Sequence, residues 1–169
     1  LFDYDVETKE WSGNIVETFT VVTDKEKDLM ELKCRLRDNI YWSDGVKMTA
    51  GDVVWYFNNI ENNKEIYPLG EQGLYITMPD GSREKYTIEL NSELEFTYYF
   101  PRIISEPLLV VNTGNIVPRH IWEPVISKGK KEAEAFWGVN TDPSELVGNG
   151  PFLLEKLTVR SPPDTTTEP

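Results

Sequence analysis

The stretch from Leu29 to Asn62 constrains the fold more than any other part of the chain, because it reads as a half-buried strand, a glycine turn and a capped helix in succession. Between Leu29 and Arg37, Leu32, Cys34 and Leu36 alternate with Lys33, Arg35 and Arg37. Successive strand side chains point to opposite faces, so this period sets one apolar face on a core and one charged face in solvent. Ser43-Asp44-Gly45 then closes a turn, where glycine reaches backbone angles that other residues avoid. Thr49 with Asp52 three residues on makes a capping-box-like pair that starts a helix. Val53, Phe57 and Ile60 recur at helical spacing with Val54 beside them, and the helix they predict runs from Ala50 to about Asn62 with one apolar face. The combination predicts an α+β fold, a mixed or antiparallel sheet with packed helices, in which the Thr49-capped helix lies on one face of the sheet. Leu32, Leu36, Trp42, Val53, Phe57 and Ile88 form the predicted buried set.

Around this unit, Leu1 to Asp5 reads as an extended lead, Thr8 to Gly13 as a turn, Ile15 to Thr23 as a β-rich run and Asp24 to Asp28 as a polar turn. Asn62 to Glu65 and Pro68 to Gly73 are loops, and Leu74 to Met78 with Lys85 to Leu90 form a hairpin across Pro79-Asp80-Gly81-Ser82. Phe96 to Ile104 is aromatic and contains Pro101, which leaves a short helix and irregular packing beneath the sheet both open. Leu108 to Val111 is a β-type run ending in Asn112-Thr113-Gly114-Asn115, and Pro118 opens a short helix that stops at Pro124. Ser127 to Phe136 reads as a helix with a solvated charged face, Asp142 to Gly150 as a loop and Phe152 to Leu157 as a final strand. Residues 161–169 hold three prolines and no apolar side chain, so they are expected to form a disordered tail or linker.

Composition narrows the chemistry. Against 29 acidic side chains there are 17 basic ones, a net charge of −12, and no basic stripe interrupts the acidity. Such a surface repels a phosphate backbone, so no nucleic-acid partner is expected. At 39% hydrophobic and 12% aromatic, the chain can nevertheless bury a core. Its longest apolar stretches, such as Pro107 to Val111, fall far short of the ~20 residues that span a bilayer, and the opening Leu1-Phe2-Asp3-Tyr4-Asp5 lacks the pattern of an export leader. A single cysteine, Cys34, rules out an internal disulfide and a thiolate zinc cage, and its place on the apolar strand face predicts a small buried hydrophobe. His120 is the only histidine, so a multi-histidine metal centre cannot form, and its place just after Pro118 predicts a surface or capping role. Asp3, Asp5 and Glu7 alternate as metal ligands can but lack the glycine pattern of a calcium loop. Gly148-Asn149-Gly150-Pro151 lacks the Lys-Ser/Thr of a phosphate loop and reads as a tight turn. Trp11, Trp42, Trp55, Trp122 and Trp137 could stack on sugars or peptide side chains, with Trp42 and Trp55 expected in the core. No catalytic constellation, metal site or cofactor is expected.

The run from Leu36-Arg37 through Tyr41-Trp42-Ser43-Asp44-Gly45 to Thr49-Ala50-Gly51-Asp52-Val53 closely resembles the signature of the family 5 extracellular solute-binding proteins, the oligopeptide- and dipeptide-binding receptors of ABC importers. Three further segments match in order. The lead from Leu1 through Ile15-Val16-Glu17-Thr18-Phe19 resembles the stretch before that signature, Asn115-Ile116-Val117-Pro118-Arg119-His120-Ile121-Trp122 resembles an Ile-Val-Pro-Lys-His segment, and Val147-Gly148-Asn149-Gly150-Pro151-Phe152 resembles Val-Gly-Thr-Gly-Pro-Tyr/Phe. Departures are Asn149 for Thr, Gly51 for an acidic residue and Cys34 for a larger apolar one.

The resemblance implies a subdomain of a periplasmic-binding-protein-like, type II fold. Residues 1–160 would be a partial lobe-one segment, mainly its inserted subdomain, with 161–169 as the tail, and the opposing lobe would lie elsewhere in a longer protein. It implies a periplasmic or extracellular, membrane-associated receptor that captures peptides, oligosaccharides or nickel chelates and delivers them to a membrane permease without chemistry on the ligand. Tyr67, after the capped helix, and Asn112, Thr113 and Gly114, after the run from Leu108, are the candidate ligand contacts, because loops beside regular elements present binding side chains. Two readings from other classes stand beside it: an acidic hydrolase using carboxylates and His120, and a non-catalytic adhesive module of a cell surface.

Overall fold

The computed structural model describes residues 1–68, 73–112, 115–138, 141–150 and 152–155. Its first two strands, β1 (Phe2–Asp5) and β2 (Glu10–Gly13), form an antiparallel hairpin. Asp5 Oδ1 closes it by accepting the Glu7 and Thr8 N–H groups at 2.8 and 3.1 Å, with Lys9 in the left-handed region. This Asx turn extends what the sequence suggested as a bare turn into a paired strand, and it occupies the carboxylate that was a metal-ligand candidate. The same device recurs between β3 (Val16–Asp24) and β4 (Leu29–Leu36), where Asp24 Oδ1 accepts from Glu26 and Lys27.

On β4 the predicted alternation holds: Met30, Leu32, Cys34 and Leu36 are buried, while Lys33 and Arg35 face outward. After it comes α1 (Ala50–Tyr56), which continues as a π-helical turn over Phe57–Glu61. The Asn62 N–H reaches back to the Phe57 carbonyl at 2.8 Å, the five-residue step of such a turn. The helix thus ends where the sequence placed it. At its start, the Ala50 N–H, which has no partner inside the helix, donates to the Glu93 carbonyl at 2.8 Å.

Beyond the helix the hairpin is real, but its return strand is Arg83–Lys85 and not the expected run from Lys85 to Leu90. β5 (Tyr75–Thr77) pairs with β6 (Arg83–Lys85), while β7 (Thr87–Leu90) leaves them and joins β8 (Glu95–Phe100). Tyr86, between β6 and β7, marks the break; its ring is enclosed in the core. Strand order in the main sheet is β3-β4-β8-β7, antiparallel throughout. The aromatic segment from Phe96, left open by the sequence, is therefore a central strand, with Phe96, Tyr98 and Phe100 on the face that α1 covers.

Three elements correct the sequence reading. Residues 107–111 form a short helix, α2 (Pro107–Val111), instead of a strand. Its proline fixes the first helical φ, and Leu108 and Val111, one helical turn apart, both enter the core. Next, α3 (Arg119–Ile126) runs through Pro124, with Pro118 as its cap. Only the bond from residue 124 back to His120 is forfeited, too little to stop a helix that ends two residues later. α4 (Lys130–Ala135) begins later than expected because Gly129, at φ 102, breaks the chain between the two helices. The strand expected over residues 152–157 is also not seen where it is described: 152–155 have no regular structure, and Phe152 is 90% exposed. Residues 156 and 157 and the expected tail lie outside the described residues.

One hydrophobic core unites these pieces. All six residues of the predicted set are buried, joined by Tyr86, Phe96, Tyr98, Phe100, Leu108 and Val111.

Candidate functional site

Tyr67 and Asn112 occupy very different situations. Tyr67 follows the π-helical turn, its N–H held by the Asn63 carbonyl at 2.8 Å and its side chain 47% exposed. Asn112 ends α2, and its side chain is committed to the chain's first strand. The Asn112 Nδ2 donates to the Phe2 carbonyl at 3.1 Å, while Oδ1 accepts the Phe2 N–H at 3.2 Å and the Leu1 amino group at 3.4 Å. The amide thereby acts as one residue of strand for β1. Thr113 and Gly114 lie outside the described residues.

Tyr56 bears on both loops. Its oxygen receives the backbone N–H of Asn115 and lies within electrostatic range of Tyr67, and burial pushes its phenol up to about 12, so the group stays neutral. Half-buried Tyr56 is therefore linked to Asn115, in the segment following Asn112, and feels Tyr67 through electrostatics alone. Sequence reasoning missed Tyr56, since its position on the helix gave no sign of which loops it would touch.

A second junction lies at the glycine turn. The Gly45 N–H donates to the Trp42 carbonyl at 2.9 Å with Gly45 at φ 88, a conformation suited to glycine. Asp44 Oδ1 accepts the Val46 N–H, and its Oδ2 lies 2.7 Å from His120 Nε2 on α3. On the other side, the Ser43 N–H donates to the Gly148 carbonyl at 2.8 Å and the Gly148 N–H donates to Ser43 Oγ at 3.2 Å. The turn thus clasps α3 with one residue and the 147–149 segment with the next. Three motifs far apart in sequence, 76 residues in the case of Asp44 and His120, converge here.

That convergence is architectural. Ser43 Oγ accepts the Gly148 N–H, and among the described residues no hydrogen bond joins it to His120, so the Asp44–His120 pair does not continue to this serine as a hydrolytic triad would. Cys34 is equally unsuited to attack, because burial pushes its thiol up to about 12. No group of three or more metal-ligating side chains occurs among the described residues. An open groove of about 360 Å³ crosses the outer face of the main sheet, lined by Thr18, Thr20, Lys33, Arg35, Thr97 and Tyr99 among others. Within it Arg35 sits between Glu17 and Glu95, at 3.6 and 3.1 Å.

The clasp should weaken in acid. Partial burial of Asp44 works to raise its pKa, but His120 and the Val46 N–H outweigh this and hold the carboxyl below the ordinary range. A carboxyl depressed in the folded state stabilises the fold above its unfolded pKa, and that contribution disappears as pH falls through the folded value. Asp44→Asn should therefore lose stability near neutral pH and show a flatter decline below pH ~4 than the parent chain. Urea midpoints measured across that range check it, and parallel curves for the two proteins would remove Asp44 from the acid response.

Residues 8–161 match the family described as bacterial extracellular solute-binding proteins, family 5 Middle. Among curated relatives, a probable ABC transporter-binding protein of Deinococcus radiodurans is 21% identical over 164 residues, covering 92% of this chain and 25% of its own length. A dipeptide-binding protein of Lactococcus lactis is 26% identical over 180 residues, covering 91% of this chain and 29% of its own. A crystal structure of a periplasmic oligopeptide-binding protein from Thermotoga maritima, with mannohexaose bound, superposes with a TM-score of 0.62 at 26% identity over 92% of this chain and 25% of that one. The chain accordingly spans about a quarter of the length of these relatives. With the match running through nearly every described element, from the second strand of the first hairpin to the clasped 147–149 segment, the chain belongs to the family 5 bacterial extracellular solute-binding proteins.

Proposed function

We propose that these residues form part of one lobe of a two-lobed receptor that captures peptides outside the cytoplasm and passes them to an ABC permease in the membrane. The family match over residues 8–161 carries this reading. The site chemistry agrees with it: the Asp44–His120 and Ser43–Gly148 contacts serve architecture, and binding without turnover needs no nucleophile or base. In this reading residues 1–160 are a partial lobe-one segment, mainly its inserted subdomain, and 161–169 are a tail or linker. Tyr67 offers an exposed ring for a ligand side chain, and Thr113 and Gly114 stay candidate contacts on the grounds of their sequence position alone. Asn112 would contribute by positioning this edge, its amide being occupied by Phe2. Oligosaccharides are the second ligand class, favoured by the aromatic content and by the mannohexaose bound to the Thermotoga relative.

A two-lobed receptor gains affinity by enclosing its ligand between convergent walls, and closure shifts the population towards the bound state. The isolated chain should therefore bind a peptide and oligosaccharide panel far more weakly than the receptor that contains it, and Tyr67→Ala in that receptor should weaken binding further. Calorimetric titration of the three proteins tests both statements. Equal, tight binding by the isolated chain would overturn the two-wall reading, and unchanged binding by the Tyr67 variant would remove that residue from the site.

A further inference from the structure

We propose that Asn149 is a spontaneous modification site, where its side-chain amide cyclises onto the backbone nitrogen of Gly150 and the product opens the clasp between residues 147–149 and the Ser43 turn. Asn149 is the only asparagine of the chain followed by glycine. Without a Cβ on the following residue, nothing shields the attacking nitrogen, and asparagine is among the thermolabile residues. Here the local structure adds to that chemistry. Gly150 is exposed, has open space about its Cα, lies outside regular structure, and its N–H makes no hydrogen bond among the described residues. Among the described residues the Asn149 amide is held by a 3.3 Å contact from Nδ2 to the Met48 thioether, a weak acceptor.

Other steps with similar sequence chemistry are protected. Gly45 and Gly81 follow aspartates, but their N–H groups donate to the Trp42 and Met78 carbonyls at 2.9 and 3.0 Å and are fixed in turns. Asn91 precedes Ser92, yet the Ser92 N–H donates to the Glu95 carbonyl at 3.1 Å, and Asn91 Oδ1 accepts the Thr97 hydroxyl at 2.8 Å. Among the described residues, Asn149 alone of these combines an unhindered nitrogen, an N–H without a hydrogen bond and a loosely held amide.

The reaction balances with water as its co-reactant. The Gly150 nitrogen loses its proton to solvent base and attacks Asn149 Cγ; the N–Cγ bond forms, the Cγ–Nδ2 bond breaks, and the amide nitrogen leaves as ammonia. Water then opens the cyclic imide at either carbonyl, giving aspartate or isoaspartate. Net change is one water in and one ammonia out, with no oxidation or reduction. The product carries a carboxylate against the fully buried Met48, where a charge is poorly solvated, and the isoaspartyl form also lengthens the backbone by a methylene beside Gly148.

Ageing the full-length receptor at mildly alkaline pH, followed by peptide mapping for the amide-to-acid mass shift and for isoaspartate, tests the chemistry. Position 149 should convert several-fold faster than any other asparagine, and Asn149→Thr and Gly150→Ala should each suppress the early acidic species. Conversion elsewhere first, or the same acidic species in the Asn149→Thr protein, would overturn the proposal. Asn149→Asp tests the consequence by amide hydrogen exchange: faster exchange at Ser43 and Gly148 supports the opened clasp, and unchanged protection there overturns it.

Discussion

Replacing Phe57 by Ala is expected to cost about 3–5 kcal/mol of stability, because the ring fills the junction between the helix and the main sheet. Phe57 is 3% exposed and opens the π-helical turn. Its ring lies 5.4 Å from Tyr86 and 6.2 Å from Tyr98, and Tyr98 in turn meets Phe96 edge-on at 5.6 Å. Tyr86 also contacts Phe100 at 5.3 Å, so truncating the Phe57 ring removes a packing partner from both Tyr86 and Tyr98 within one aromatic cluster. The cavity cannot close cheaply. Tyr86 and Tyr98 are held on strand backbone or at its end, and burial raises both phenols, most strongly Tyr98, which keeps them neutral in an apolar setting. Collapse onto the void would pull those hydroxyls from their environment. Phe57→Leu retains most of the volume and should cost less than about 1.5 kcal/mol. Urea unfolding of the chain compares the two variants, with the slope checked for constancy before midpoints are converted. A midpoint for Phe57→Ala equal to that of the parent would contradict the enclosed position.

The strand–turn–helix unit was legible because each of its signals is local. Alternation on β4, glycine in the turn, and Thr49 with Asp52 at the helix start are all set within a few residues, and tertiary packing had no reason to overrule them. The helix α2 was not legible for the opposite reason. Pro107-Leu-Leu-Val-Val111 is a short apolar run whose period fits strand and helix alike, and only the tertiary placement of Leu108 and Val111 decides. Likewise β7 was joined to the wrong partner: Pro79 to Ser82 predicted a turn correctly, but which strand continues across Tyr86 depends on the distant β8. At the candidate edge, sequence pointed to the loops of Tyr67 and Asn112 without revealing that the Asn112 amide is consumed by Phe2, 110 residues away. The Asp44–His120 pair was hidden in the same manner: both residues sat in recognisable motifs, and nothing local paired them.

Asp52→Ala should be the most costly polar substitution in the described structure, at about 2–4 kcal/mol, since it strands two buried or half-buried backbone donors at once. Asp52 is 7% exposed and uses both oxygens. Oδ2 accepts the Thr49 N–H at 2.8 Å and the Thr49 hydroxyl at 3.1 Å, which closes the start of α1. Oδ1 accepts the Arg119 N–H at 3.2 Å, which is how the first turn of α1 grips the first residue of α3. The negative charge also suits both positions, since each helix start exposes N–H groups with no partner inside the helix. Thr49→Ala removes only the hydroxyl and leaves the backbone contact, so it should cost about 1 kcal/mol. Asp52→Asn retains an acceptor but turns an NH2 towards one of the two helix starts, and its cost should fall between those values. Because His120 adjoins Arg119, releasing α3 from Asp52 also loads the Asp44–His120 contact. A double-mutant cycle of Asp52→Ala with Asp44→Asn should then show coupling instead of additive losses. Strict additivity, together with a loss for Asp52→Ala no greater than for Thr49→Ala, would mean that Oδ1 contributes nothing to holding α3, and the two junctions would be independent.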